Sequence, residues 1–235
     1  MNTDKFKIGF FSFTEITDPN EHRSYNEWHM LDHMPEQYPI PGIAYGQRWV
    51  STPANAAARA INEPPLDAVH YLTCYVMTEP VEETLREFYE HGRALGKIGR
   101  FHRHRRALLS GPFRVLDGAA ADRVLIRAES VPFRPHRGIY VVVEAAGASD
   151  TDAHEAALMR VAGVVGWWSF GSGEASDAHP WQPGDERITV VWLDAEPNAV
   201  AAELAPIERS RTGVTFAGPF ETITPWEWTW FDAAE

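Results

Sequence analysis

Between residues 25 and 36 the chain reads Tyr25-Asn26-Glu27-Trp28-His29-Met30-Leu31-Asp32-His33-Met34-Pro35-Glu36, and Ile40-Pro41-Gly42-Ile43 follows. On a helix, His29 and His33 stand one turn apart on a shared face, with Asp32 and Glu36 three residues beyond each. Imidazole titrates near neutral pH, and a neighbouring carboxylate can fix its tautomer, so this face has the parts for moving a proton. The candidate catalytic residues are therefore His29, His33, Asp32 and Glu36. A structural role competes for the same residues: His33 can satisfy backbone groups where the prolines interrupt the helix, and Trp28 can serve as a packing anchor. The order His-Glu-x-x-His is absent and no third ligand is identifiable, so no metal is expected. There is no glycine-rich phosphate loop and no G-x-S-x-G elbow, and the single cysteine, Cys74, sits in an apolar run that suits an inert buried thiol.

The histidine helix needs elements around it. Lys7 to Thr14 is apolar on both alternate faces, as in a strand covered on both sides. Ser24 and Glu27 form an S-x-x-E capping box that starts the helix near Tyr25, and Pro35, Pro39, Pro41 and Gly42 end it. Strands are expected over 43–51, 68–77 and 106–116, with an amphipathic helix over 81–96 and an exposed connection over 52–66. The basic run Arg100 to Arg106 can hold one anionic group or pair with the acidic excess elsewhere, and reads mainly as a solvated edge, with His102 and His104 exposed. Residues 117–136 look like a linker, with Val124-Leu125-Ile126 as a short extra strand.

After that linker the order recurs: strand 138–144, helix 151–161, strands 164–170 and 187–193, helix 198–207 and strand 214–223. Landmarks recur with it. Pro41-Gly42-Ile43 corresponds to Ala162-Gly163-Val164, Glu79-Pro80 to Glu196-Pro197, and Gly111-Pro112-Phe113 to Gly218-Pro219-Phe220. A βαββαβ unit leaves one sheet face bare, so the expected fold class is α+β: two tandem ferredoxin-like βαββαβ units, 1–118 and 119–235, packed sheet to sheet as an intramolecular α+β barrel. The second copy of the first helix, Thr151 to Leu158, lacks the histidine pattern, so one site in the first half is expected. Strand alternation then offers Tyr45, Arg48, Trp49, His70 and Tyr71 in the first half and Tyr140, Trp167, Trp168 and Trp192 in the second as substrate-binding candidates around an apolar cavity. The aromatic end, Pro225 to Phe231, reads as a clasp across the structure.

Asn26-x-Trp28-His29-x-x-x-His33-x-Pro35-Glu36, with Ile40-Pro41-Gly42 leading into a strand, resembles the first-helix signature of the dimeric α+β barrel superfamily, especially its EthD-like members. The resemblance implies ferredoxin-like halves around a pocket, the second half standing where a second subunit stands in single-domain members. It also implies small-molecule chemistry that ranges from cofactor-free monooxygenases, isomerases, cyclases and dehydratases to haem enzymes. Tandem haem-binding relatives carry an axial histidine in the second half; His136, His154 and His179 do not fall in a matching helix, so no cofactor is expected.

With 21 basic and 33 acidic residues and a net charge of -12, the chain is a poor partner for nucleic acid or an anionic membrane. Its 44% hydrophobic and 23% charged composition is that of a globular protein. One cysteine, no apolar signal core and no membrane-length apolar run make a cytoplasmic protein the expectation. The reading that follows is a cofactor-independent acid-base enzyme, a lyase, dehydratase, isomerase or cyclase, acting on a hydrophobic, aromatic or polyketide-like small molecule and compatible with a homodimer. Two alternatives stand beside it: a cofactor-free monooxygenase, and a non-catalytic carrier of an apolar metabolite.

Overall fold

A computed structural model describes residues 5–145, 151–172 and 185–232. In the first half, strand β1 (Ile8–Ile16) turns Phe11 and Phe13 to one side and Phe10, Ser12 and Thr14 to the other. A 3-10 turn at Pro19–Glu21 leads into helix α1 (His22–Glu27), continued by a widened helical turn over Trp28–His33. Strand β2 (Ile43–Val50), the short helix α2 (Pro53–Ala57), strands β3 (Ile61–Asn62) and β4 (Tyr71–Met77), helix α3 (Val81–Lys97) and strand β5 (Arg105–Ala120) follow. The second half runs β6 (Gly138–Ala145), α4 (Thr151–Leu158), β7 (Val164–Ser172), β8 (Glu186–Leu193), α5 (Pro197–Arg209) and β9 (Val214–Thr222).

The strands lie in the order β2-β4-β1-β5-β7-β8-β6-β9, all pairs antiparallel, with β3 also on β9. Each half thus repeats the ferredoxin-like order, its second, third, first and fourth long strands side by side. The halves join twice. The long β5 leaves β1 and continues along β7, and β2 pairs with β9 at Trp49↔Thr222 and Val50↔Glu221. The expected sheet-to-sheet stack is therefore one closed barrel, which leaves few free strand edges. The repeat landmarks hold in the backbone: Gly42 and Gly163 both take φ +89° at the turn into β2 and β7, a conformation that a residue with Cβ resists. Among the described residues no helix is long and apolar enough to cross a membrane.

Inside the barrel, Phe11, Phe13, Phe113, Trp168, Phe170, Phe216 and Phe220 fill the axis with Val and Ile from both halves. An eight-stranded barrel is just wide enough to be filled by its own side chains, and here it is. The expected apolar cavity is found elsewhere, between the outer face of the first sheet and the helices that cover it.

Several local expectations are corrected. Ser24 does not cap a helix. Its hydroxyl donates to the backbone carbonyl and the carboxylate of Glu21, and the turn before α1 is capped by Asp18 accepting from the Asn20 N–H. Residues 52–66 are not a plain exposed connection, because Thr52 and Asn55 form a capping box on α2 and β3 adds to the barrel. Val124-Leu125-Ile126 forms no strand: Leu125 takes φ 53° after a 3-10 turn and projects into solvent. His102 is not exposed, its side chain being only 10% accessible.

Candidate active site

The strand positions beneath the first-half helices are small. Ser12 and Thr14 of β1, Thr73 of β4, and Ala107 and Ser110 of β5 leave room that larger side chains would fill, and a cavity of about 460 Å³ lies above them. Its opposite wall is the first helical segment, which contributes Tyr25, Trp28, His29, His33 and Gln37. Helix α3 closes the side with Phe88, Tyr89, Gly92, Arg93 and Gly96, and Phe101 and Arg105 complete the lining. Gly92 and Gly96 stand one turn apart, and a Cβ on either would only touch the Phe101 ring, at 3.9 and 3.6 Å. The wall is open because those side chains are missing.

His29 and His33 are both at this cavity. The helical turn that carries them is wider than an α-turn: Met34 N–H donates to the His29 carbonyl at 2.8 Å, five residues back. Pro35 can donate no backbone N–H, and such widened turns often occur at functional sites. The two rings stay adjacent, 5.2 Å apart edge to face, and His33 stacks on Trp28 at 4.7 Å. Trp28 is fixed in turn by its indole N–H, which donates to the Arg100 carbonyl at 2.6 Å.

The imidazoles are electrically alike. Burial, followed by the Arg48 cation, holds His29 well below its ordinary value. Burial and the Arg105 cation bring His33 down to about 4. Both rings are neutral at neutral pH. The Nδ1 of His29 is hydrogen-bonded to the Tyr25 hydroxyl at 3.1 Å, while His29 Nε2 and His33 Nδ1 are buried without a hydrogen-bond partner. So are the hydroxyls of Thr73, Tyr75 and Tyr89 and the side-chain carbonyl of Gln37, all lining the same space. Buried polar atoms are seldom left unpaired, so their concentration here marks a place that receives a polar ligand.

Neither Asp32 nor Glu36 is hydrogen-bonded to His29 or His33, although the Glu36 charge acts on His33. Both pair with Arg100 on the partly exposed side of the helix, Glu36 at 2.9 Å, and Glu36 also lies 3.4 Å from His91. The expected orienting carboxylate is replaced by Tyr25, because the widened turn and Arg100 draw both acids outward.

None of the nine expected substrate-binding residues lines this cavity. Tyr45, Trp49, Trp168 and Trp192 point into the packed barrel, where Trp49 donates to His136 Nε2 at 3.0 Å and Trp168 to the Ala128 carbonyl at 2.8 Å. Tyr140 and Trp167 pack beneath α4 and α5 in the second half. His70 Nδ1 accepts the Ile16 N–H at 3.0 Å, and the Tyr71 hydroxyl meets His22 and Asn26. Arg48 is 2% exposed behind the cavity wall, its guanidinium 5.0 Å from the Tyr25 ring and 5.5 Å from the Tyr71 ring. Of the other histidines weighed above, His154 is paired with buried Glu208 at 2.7 Å, and His179 lies outside the described residues.

Sequence reasoning missed Arg105, Phe88, Tyr89, Phe101 and the two glycines of α3. The glycine pair one turn apart was a readable signal, since each costs a helix about 1 kcal/mol relative to alanine. Among the described residues the one group of three His, Cys, Asp or Glu donors close enough for a metal is Asp18, Glu21 and His104, away from the cavity; His29, His33 and Glu36 form no such group.

No protein-family model and no curated protein sequence matches the chain. Solved structures match its fold. An anthrone oxidase-like protein aligns at a TM-score of 0.52 and 12% identity over 95% of this chain and 94% of its own. A candidate chlorite dismutase aligns at 0.56 and 10% identity over 93% and 95%. What the chain shares with these neighbours is the fold, an α+β barrel with a large antiparallel sheet packed against helices.

Proposed function

We propose that the chain is an enzyme that moves a proton on an apolar, aromatic small molecule held between the first helix and the sheet, without an organic cofactor. One observation carries this reading: two adjacent neutral imidazoles, each with an unpaired buried ring nitrogen, face a cavity walled by aromatic rings. A neutral imidazole presents a lone pair to a substrate C–H or O–H. Its depressed pKa is no obstacle, because negative charge developing on the substrate beside it raises its affinity for the proton during transfer. Removing a proton next to a carbonyl and returning it elsewhere is the shared step of dehydration, isomerisation and ring closure. Cys74 is no nucleophile for this chemistry, since it is buried in the barrel and burial pushes its thiol far up.

A second reading draws on the apolar walls. They exclude water from a substrate carbanion and leave dioxygen as the small reactant able to meet it, which would make the chain a cofactor-free monooxygenase. Anthrone, a tricyclic ketone with an acidic CH₂, serves as a trial substrate for both. Incubated with the protein in heavy water, with and without oxygen, and followed by mass spectrometry, it should gain deuterium faster than in buffer. His33→Gln or His29→Gln should slow that gain about 100-fold or more. Consumption only under oxygen selects the oxygenase. A ligand that binds and is returned unconsumed, labelled no faster than in buffer with oxygen present or absent, identifies a carrier and ends the proposal.

A further inference from the structure

The charge of the cavity wall is opposite to that of the protein. The chain carries a net charge of -12, yet among the described residues no Asp or Glu lines the cavity, while Arg93 and Arg105 do. Three other arginines of this half sit on acids: Arg23 pairs with Glu27, Arg100 with Asp32 and Glu36, and Arg106 with Glu15. Arg105 has none. Its guanidinium lies 4.6 Å from the centre of the Phe101 ring and 5.9 Å from that of Trp28, among the aromatic rings of the cavity. Behind Tyr25, all three guanidinium nitrogens of Arg48 are buried without a hydrogen-bond partner. A buried cation without an anion is costly, so Arg48, with the half-buried Arg105 on the wall of the same cavity, calls for an anion there.

We infer that the cavity takes an aromatic carboxylate, its ring system between Trp28, Phe88 and Phe101 and its carboxylate on Arg105, with the positive potential of Arg48 reinforcing the preference. This rests on the small-molecule site proposed above and names its substrate class. The planar fork of a guanidinium matches a carboxylate in two parallel hydrogen bonds, and the rings on either side keep that fork oriented. Anchoring the acid at Arg105 leaves the rest of the ring system toward His29 and His33, whose unpaired nitrogens meet it.

The test uses the neutral fluorophore N-phenyl-1-naphthylamine as reporter, displaced by 2-naphthoate or by its uncharged match 2-naphthamide. The wild-type chain should release the reporter at about tenfold lower naphthoate than naphthamide. Arg105→Gln should bring the two ligands within about twofold of each other by weakening naphthoate alone, and Arg105→Lys should keep part of the preference. Equal displacement by both ligands in the wild type, or an unchanged naphthoate preference in a folded Arg105→Gln, would overturn the inference. Because this readout needs no turnover, it separates from the anthrone experiment. Naphthoate preference without histidine-dependent exchange refutes the catalytic reading alone, and the reverse outcome refutes the carboxylate alone.

Discussion

His22 and His33 each sit at about 4, mainly because burial disfavours the charged ring, and His29 lies well below its ordinary value for the same reason. In the unfolded chain these rings bind protons near pH 6.5, so between that value and about pH 4 the unfolded state holds more protons than the folded one. Stability should be level above pH 6.5 and fall as the pH drops through this window, by about 1.4 kcal/mol per unit for each fully coupled histidine. Urea unfolding from pH 7.5 to 4.5 measures the slope, and His33→Gln should remove one histidine's share of it. A slope that survives His33→Gln intact would place that ring in contact with water. The histidines themselves were legible, since type and spacing declared them. Their surroundings were not. Asp32 and Glu36 look like partners in sequence, yet helical spacing cannot show that Arg100, far along the chain, draws both away. Nor can a basic run show that Phe101, His102 and Arg105 turn inward to the aromatic rings.

Between the two copies of the repeat, the elements differ where it matters for a cavity. In the first half the Ser12↔Thr73 pair forms the floor under the helices; in the second the corresponding pair is Val142↔Thr189, and Tyr140, Trp167, Leu158 and Leu204 pack the space above. Thr14 of β1 is matched by Glu144 of β6, which pairs with Arg211 instead of leaving room. Helix α3 completes the opening with Gly92 and Gly96. Gly96→Leu should therefore fill the cavity from the side. Its Cβ is accommodated at 3.6 Å from Phe101, the helix gains roughly 1 kcal/mol of propensity, and the rest of the side chain occupies ligand space. Binding of the fluorophore should weaken about tenfold or more while the melting temperature holds or rises. Loss of both binding and fold would instead show that the α3 wall needs its glycines for packing. The element boundaries were largely readable because hydrophobic period and landmarks agreed. The missed pieces were turns, such as the Asp18 cap and α2, where one side chain decides the local geometry.

At the scale of the molecule, the closed barrel was legible as two bare faces that had to be covered, whereas its filled interior was not. Alternation shows which side chains face inward, not whether large aromatics from opposite walls meet across the axis. Tyr45, Trp49, Trp168 and Trp192 therefore looked equally fit for a pocket and for a core. The aromatic end packs as a clasp: Trp228 is 6% exposed beside Tyr25, Tyr71 and Val50, while Trp226 is 72% exposed. Trp228→Ala should cost about 2–4 kcal/mol in denaturant unfolding, and Trp226→Ala less than about 0.5. Comparable losses at both positions would mean that the clasp is anchored differently.

Phe231 lies flat on His22, ring centres 3.7 Å apart, at the very start of the helix that carries both imidazoles. On a ribosome this imposes a schedule. The strands, α3 and Arg105 that shape the cavity emerge early, but the roof over it is fastened only when the last aromatic turn has been made. The contact that secures the start of the roof helix is thus made by residues translated after every strand of the barrel.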